Sequence, residues 1–438
     1  MQTKTMIRSL LSASFFAALN FFLVAGAQAQ VFTDIHDFNN TNGATPVAKL
    51  IFDSAGNLYG TTTMSAQGGE NCFGGCGVAF KLAREGSGWK ELVLHGFSGG
   101  ADGGIPMGNL VFDAAGNLYG TAKIGGNTAA CINSATNTKG CGVVFELSPH
   151  SGGAWTATTL YAFAGGADGE YPEGGLVFDA AGNLYGTTNA GGSLTACSGL
   201  GCGTVFELSP SSSGWTETIV HSFVDDGADG VTGVGSVIFD GAGNLYGATV
   251  NGGVHGFGSV FELSPSSSGW TETILHSFDL RDGFMPNGDL LFDSAGNLYG
   301  STQSGGRVSM CGIGCGAVFE LSPNSSGGWD DTTVTAAVQN YDGEDIIGIS
   351  ADASGNLYFV ASQAGGGTTI CGGQACGTVT KLTHTSTGWF PTVVHHFLGI
   401  KDDAQPNAPV AIDASGTLFG TTYHDGPLGY GMVYKIVP

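Results

Sequence analysis

The chain has 438 residues, with 13 Lys and Arg against 36 Asp and Glu, a formal net charge of −23. Such acidity argues against a nucleic-acid or anionic-membrane partner, because gripping phosphates needs clustered Lys and Arg. Gly is abundant at 77 residues, but there is no G-X-Y period and only 13 Pro, which excludes collagen; 42% apolar residues excludes a disordered chain.

Residues 1–29 are predicted to be a secretory signal peptide. Lys4 and Arg8 form a short basic start, Leu10 to Val24 is largely apolar, and Ala27-Gln28-Ala29 is a small-x-small cleavage site. A membrane anchor fits less well, because the run is short of the roughly 20 apolar residues of a span and holds Asn20. No later stretch is long or apolar enough for a span. The expectation is a secreted or periplasmic monomer with no membrane insertion after cleavage and no C-terminal anchor.

The remainder is one repeat written seven times. Asp-x-x-Gly-Asn-Leu-Tyr begins at Asp53, Asp113, Asp179, Asp240, Asp293 and Asp352, and a degenerate copy begins at Asp413, with Thr417 and Phe419 in place of Asn and Tyr. A period near sixty residues is long for a one-coil solenoid rung. In the third copy, Leu176-Val177-Phe178 runs into a turn at Asp179 to Asn183 whose Asp, Gly and Asn suit a tight hairpin. Leu184 to Thr188, Thr204 to Leu208 and Trp215 to Phe223 then supply three more strands. Four antiparallel strands in a meander make a propeller blade.

The chain ends argue for a closed ring. The last copy stops at its third strand, Met432 to Ile436, and Phe32 to Phe38 matches the missing fourth, with His36 on His221 and Phe38 on Phe223. The predicted fold is all-β: a single seven-bladed β-propeller over 30–438, closed by residues 31–38 pairing into the last blade, 405–438.

Gly175 to Thr188 (Gly-Leu-Val-Phe-Asp-Ala-Ala-Gly-Asn-Leu-Tyr-Gly-Thr-Thr), followed by Val-Phe-Glu-Leu-Ser-Pro and Trp-Thr-Glu-Thr-Ile, resembles the GloVer tandem repeat of exported "choice-of-anchor" bacterial proteins. The resemblance covers essentially all of the chain after the signal. It implies export and a repeat fold, and no activity. Members often end in a sorting or anchoring segment, and this chain departs from that pattern. The Asp-x-x-Gly-Asn-Leu-Tyr turn is also similar to hairpins of NHL-type and streptogramin-lyase-like propellers, which serve many functions.

Ten cysteines fall into local pairs, Cys72/Cys76, Cys131/Cys141, Cys197/Cys202, Cys311/Cys315 and Cys371/Cys376, each between the second and third strands of a blade. The fourth and seventh blades lack both members. An even count, loss in pairs and export together predict five disulfides. Zinc would need four ligands from converging loops, so no metal is expected. The tryptophans Trp89, Trp155, Trp215, Trp270, Trp329 and Trp389 share one slot, as do His36, His95, His221, His276 and His395. Repetition marks both slots as scaffold, the Trp through hairpin packing.

Function is sought where the copies differ. The loop face carries the cysteine loops and acidic connections at Asp102, Asp168, Asp225, Asp226, Asp229, Asp282, Asp342, Asp402 and Asp403, and loops on a rigid scaffold are where binding residues gather. Four residues before the motif Asp stand Lys49, Asn109, Gly175, Ser236, Asp289, Gly348 and Pro409. Beyond Leu-Tyr-Gly stand Thr63, Lys123, Asn189, Val250, Gln303, Gln363 and Tyr423. The candidate ligand-binding set is Lys49, Asn109, Asp289, Lys123, Gln303, Arg307 and Gln363, around a channel mouth. The leading expectation is a non-enzymatic module binding an extracellular glycan or protein. The alternative is a polysaccharide lyase or hydrolase, with His255, His424 or Tyr423 moving protons and Lys123 or Arg307 neutralising a carboxylate. Blades four and seven are well apart, which counts against a His255–His424 pair. No cofactor is expected; calcium ranks last, since the acidic loops lack EF-hand spacing.

Overall fold

The computed structural model describes residues 30–65, 72, 74–132, 138–233, 235–287, 289–306, 312–337, 343–363, 376–399, 404–424 and 428–438. They form seven antiparallel sheets. The third is representative, with Val177–Phe178, Leu184–Thr188, Thr204–Ser211 and Gly214–Ser222 running outward from the axis in chain order. In several blades the innermost strand is split. Ala44–Pro46 and Ile51–Phe52, for example, both pair with Leu58–Met64.

The repeated turn explains its own motif. Asp53 Oδ1 accepts the Ala55 and Asn57 backbone N–H groups, and Oδ2 accepts the Asn57 amide at 2.7 Å and the Tyr59 hydroxyl at 3.0 Å. Gly56 holds φ +78, which a side chain rarely adopts. Asp, Gly, Asn and Tyr are thus one hydrogen-bonded unit.

Val31–Asp37 pairs antiparallel with Met432–Val437 and completes the seventh blade, Phe32 facing Ile436 and His36 facing Val433. Its bulge between Asp34 and His36 occupies the place of the bulge at Val205/Phe206 in the third blade. Phe38 is fully buried against Phe80 of the first blade. The N-terminal strand therefore does the work of an ordinary outer strand and of a closing clasp.

Between blades the core is aromatic. Tyr59 of blade one meets Phe112 and Trp155 of blade two edge-on, and the pattern recurs at Tyr119 with Phe178 and Trp215, and at Tyr185 with Phe239 and Trp270. At closure Phe419 takes the Tyr role against Phe52 and Trp89. The tryptophans are scaffold, but they reach across to the preceding blade and are not confined to their own hairpin. Edge-to-face pairs of this kind add about 0.5–1.5 kcal/mol each beyond burial.

Three disulfides are formed, Cys72–Cys76, Cys131–Cys141 and Cys197–Cys202. Cys315 and Cys376 are also disulfide-bonded; Cys311 and Cys371 lie outside the described residues, as do residues 1–29. No helix among the described residues is long and apolar enough to cross a membrane.

Candidate functional site

One residue per blade, where the chain enters the inner strand, has a left-handed backbone. Thr45, Ile105, Tyr171, Thr232, Met285, Asp345 and Gln405 all have φ between +54 and +60. Such a conformation costs a non-glycine residue about 1–2 kcal/mol, and its persistence marks a place that the surroundings over-determine. The surroundings here are the previous blade. Ile105, Tyr171, Thr232 and Gln405 donate their N–H to the carbonyls of Cys76, Cys141, Cys202 and Cys376. In the blades without cysteines, Phe257 and Tyr430 take that place and accept from Met285 and Thr45.

Sharp bends at these residues turn the inner strands toward the axis, around a central cavity of about 740 Å³ lined from all seven blades. That lies within the roughly 300–1,000 Å³ usual for small-molecule sites. Both variable sequence slots contribute to its wall. Asn109, Asp289, Gln303, Gln363 and Tyr423 all line it.

The slot of Lys49 and Asn109 is deeper than the channel mouth expected for it. Asn109 Oδ1 accepts the Lys49 N–H at 2.8 Å, while its amide nitrogen lies 3.4 Å from Asp289 Oδ1 and 3.5 Å from Ser236 Oγ. The Lys49 backbone of blade one and the side chains of Asn109, Ser236 and Asp289, from blades two, four and five, therefore meet across the axis, as a floor. Burial lowers the pKa of the Lys49 ammonium, and the Asp289 charge only partly restores it.

Higher up, Glu173 of the wall is paired with Lys123, which does not itself line the cavity. Lys123 Nζ sits 2.6 Å from Glu173 Oε1, and Glu173 Oε2 accepts the Asn189 amide. Gln363 donates to Asp345 at 2.6 Å; burial raises the Asp345 pKa and that bond opposes the rise. Six carboxamides line the cavity, Asn109, Asn287, Asn407, Gln303, Gln363 and Gln405. A carboxamide has both a donor and an acceptor edge, although the amide nitrogens of Asn109, Asn287 and Gln363 already face Asp289, the Ile346 carbonyl and Asp345. Met107, Met285, Ile105 and Val250 supply apolar patches between them.

The other candidates fall elsewhere. His255 and His424 are exposed and do not line the cavity, although the His424 ring packs against Tyr423 at 4.1 Å between centroids. Arg307 lies outside the described residues. The acidic connections are engaged in their own turns. Asp102 accepts from His95 and the Ser98 N–H, Asp168 from Tyr161 and the Ala164 N–H, and Asp282 from His276 and the Asp279 N–H. Asp342, Asp402 and Asp403 lie outside the described residues.

Sequence reasoning missed the left-handed residues, and with them Asp345, Gln405, Asn287 and Asn407. A signal existed, since Thr45, Ile105, Tyr171, Met285 and Gln405 each precede a proline.

These features define a seven-bladed propeller with a polar axial cavity. The chain belongs to the Gloeobacter/Verrucomicrobia repeat family, whose model matches residues 21–196 and 131–313, more than half of its length. No curated protein matches it by sequence. Among solved structures it is similar to a protein from Lactobacillus plantarum, at 12% identity and TM-score 0.48, covering 82% of this chain and 95% of that one. It is similar to the Trypanosoma rangeli sialidase at 10% identity and TM-score 0.43, over 94% of this chain and 59% of that one. A Trichoderma reesei enzyme of Carbohydrate-Active Enzymes Family AA12 is similar at 11% identity and TM-score 0.44, over 94% and 96%.

Proposed function

We propose that the protein is an exported binding module whose axial cavity takes a neutral, polyhydroxylated ligand such as a short glycan. The observation that carries this reading is the set of six carboxamides around one cavity. Sugar hydroxyls donate and accept at once, and an amide side chain can answer both. Compensation of Lys123 by Glu173 and the engagement of Asp345 with Gln363 favour a neutral ligand over a polyanion. Binding is favoured over polysaccharide hydrolysis or elimination because the two histidine candidates stand exposed outside the cavity wall.

A thermal-shift screen with neutral oligosaccharides, uronates and calcium, each followed by a product assay, tests the proposal. Stabilisation by neutral oligosaccharides without turnover is expected. Stabilisation by uronates alone, or turnover of any glycan, contradicts it.

A further inference from the structure

At the outer edge of the ring, His221 closes the outer strand of blade three, Asp229 lies in the connection to blade four, and Glu272 lies on the outer strand of blade four. His221 Nε2 is 3.5 Å from Asp229 Oδ2 and 3.5 Å from Glu272 Oε1. Both separations exceed the usual 2.7–3.2 Å of an N–H···O bond. His221 Nε2 and Glu272 Oε1 are buried atoms, and among the described residues their polar contacts are these long ones within the cluster. Buried polar atoms held so loosely gain from a group that completes them.

We propose that these three side chains form a divalent-metal site of the zinc class, clamping blade three to blade four. Tetrahedral zinc bonded at about 2.0–2.2 Å sets its ligand atoms about 3.3–3.6 Å apart, which both separations match. One imidazole and two carboxylates suit zinc and leave one position for water. The Asp229 carboxylate is already oriented by N–H groups of Val224 at 2.8 Å and Gly230 at 2.6 Å, the kind of outer support metal ligands receive. Two carboxylates converging on one histidine also leave a negative charge that a cation offsets.

Other junctions serve as internal controls. The same slots one blade on hold His276, Asp282 and Asp331, but His276 Nε2 makes an ordinary 3.1 Å hydrogen bond to Asp282 and Asp331 is exposed. Between blades one and two, His95 bonds Asp102 at 3.0 Å and the third slot is Ala157. The longer spacing and the convergence of two carboxylates on one histidine mark the blade three–four junction; an orphaned carboxylate oxygen alone does not, since Glu91 and Glu217 in the same slot of other blades have one as well. Blade four is also one of the two blades without a cysteine pair, so a metal clamp would reinforce it by other means.

The test is calorimetric titration of tag-free, chelator-stripped full-length protein with Zn²⁺, alongside thermal melts and the visible spectrum of the Co²⁺ form. The expected result is one equivalent bound, a Tm rise of several degrees at saturation and tetrahedral cobalt absorption. Glu272→Gln and His221→Gln should weaken binding by more than about tenfold, while Asp331→Asn should leave it unchanged. Should Glu272→Gln fail to fold, the wild-type cobalt spectrum still decides. Absence of zinc binding, an octahedral cobalt spectrum, or tight binding that survives Glu272→Gln would overturn the proposal.

Discussion

The backbone N–H of Ile105 donates to the carbonyl of Cys76 at 2.9 Å, joining a left-handed residue at the cavity wall to the disulfide of the preceding blade. Cys76 is fully buried, so the cysteine loop is a fixed point from which the next inner strand is hung. Replacing Cys72 and Cys76 together by Ser should cost at most about 2 kcal/mol of global stability, since the closed loop is short. Ligand affinity should fall more than stability does. Urea unfolding and ligand titration on the same variant check both.

The motif turn predicts a second outcome. Asp53→Ala removes an acceptor of four hydrogen bonds and should destabilise by about 2–3 kcal/mol. Asp413→Ala should cost less, because Phe419 brings no hydroxyl to that turn. Burial opposes ionisation of Asp53, but the bonds from Asn57, Tyr59 and Ala55 outweigh it and lower its pKa. The sign follows: this contribution is present above about pH 4 and is lost as pH falls through the lowered folded value. Acid unfolding of wild type and Asp53→Asn, compared by circular dichroism, measures it.

Glu217 behaves in the opposite sense. Burial, then the nearby Asp168 charge, pushes its carboxyl up to about 7, and its Oε1 is buried without a hydrogen-bond partner. A raised folded pKa means stability is greatest below the unfolded value near 4.5 and declines as pH rises to about 7. Glu217→Gln should therefore be neutral near pH 4 and stabilising by on the order of 1–2 kcal/mol at pH 8, discounted for partial exposure. Melting curves at the two pH values test this.

Strain at the cavity wall is separable from binding at Gln405, which is exposed and has φ +59. Gln405→Gly should raise stability by about 0.5–1 kcal/mol, the relief of the left-handed backbone less the added chain entropy of glycine. The same change should weaken ligand binding by removing one carboxamide. A gain in both, or a loss in both, would contradict this assignment.

Much of the architecture was legible because a local unit wrote it. Asp53, Gly56, Asn57 and Tyr59 act within seven residues of chain, and seven recurrences of that unit give the blade count. Closure was legible because Phe32 to Phe38 repeats an outer strand. The cavity floor was not. Asn109 and Asp289 meet across 180 residues, and only a closed ring brings them together. Nor could repetition alone distinguish a tryptophan packing in its own hairpin from one reaching Tyr59 in the preceding blade. The acidic connections looked available for ligands because the His95–Asp102 and Tyr161–Asp168 pairings depend on how each connection folds back.

The most direct test of the axial-cavity assignment is calorimetric titration of wild type and Gln303→Leu/Gln363→Leu with the neutral oligosaccharide that stabilises the protein most. Loss of two amide partners should weaken binding by at least about tenfold, or 1.4 kcal/mol, measured well below the Tm of the variant, which the loss of the Gln363–Asp345 bond lowers. Equal affinity in the two proteins, or no saturable binding of any neutral oligosaccharide to wild type, would contradict it.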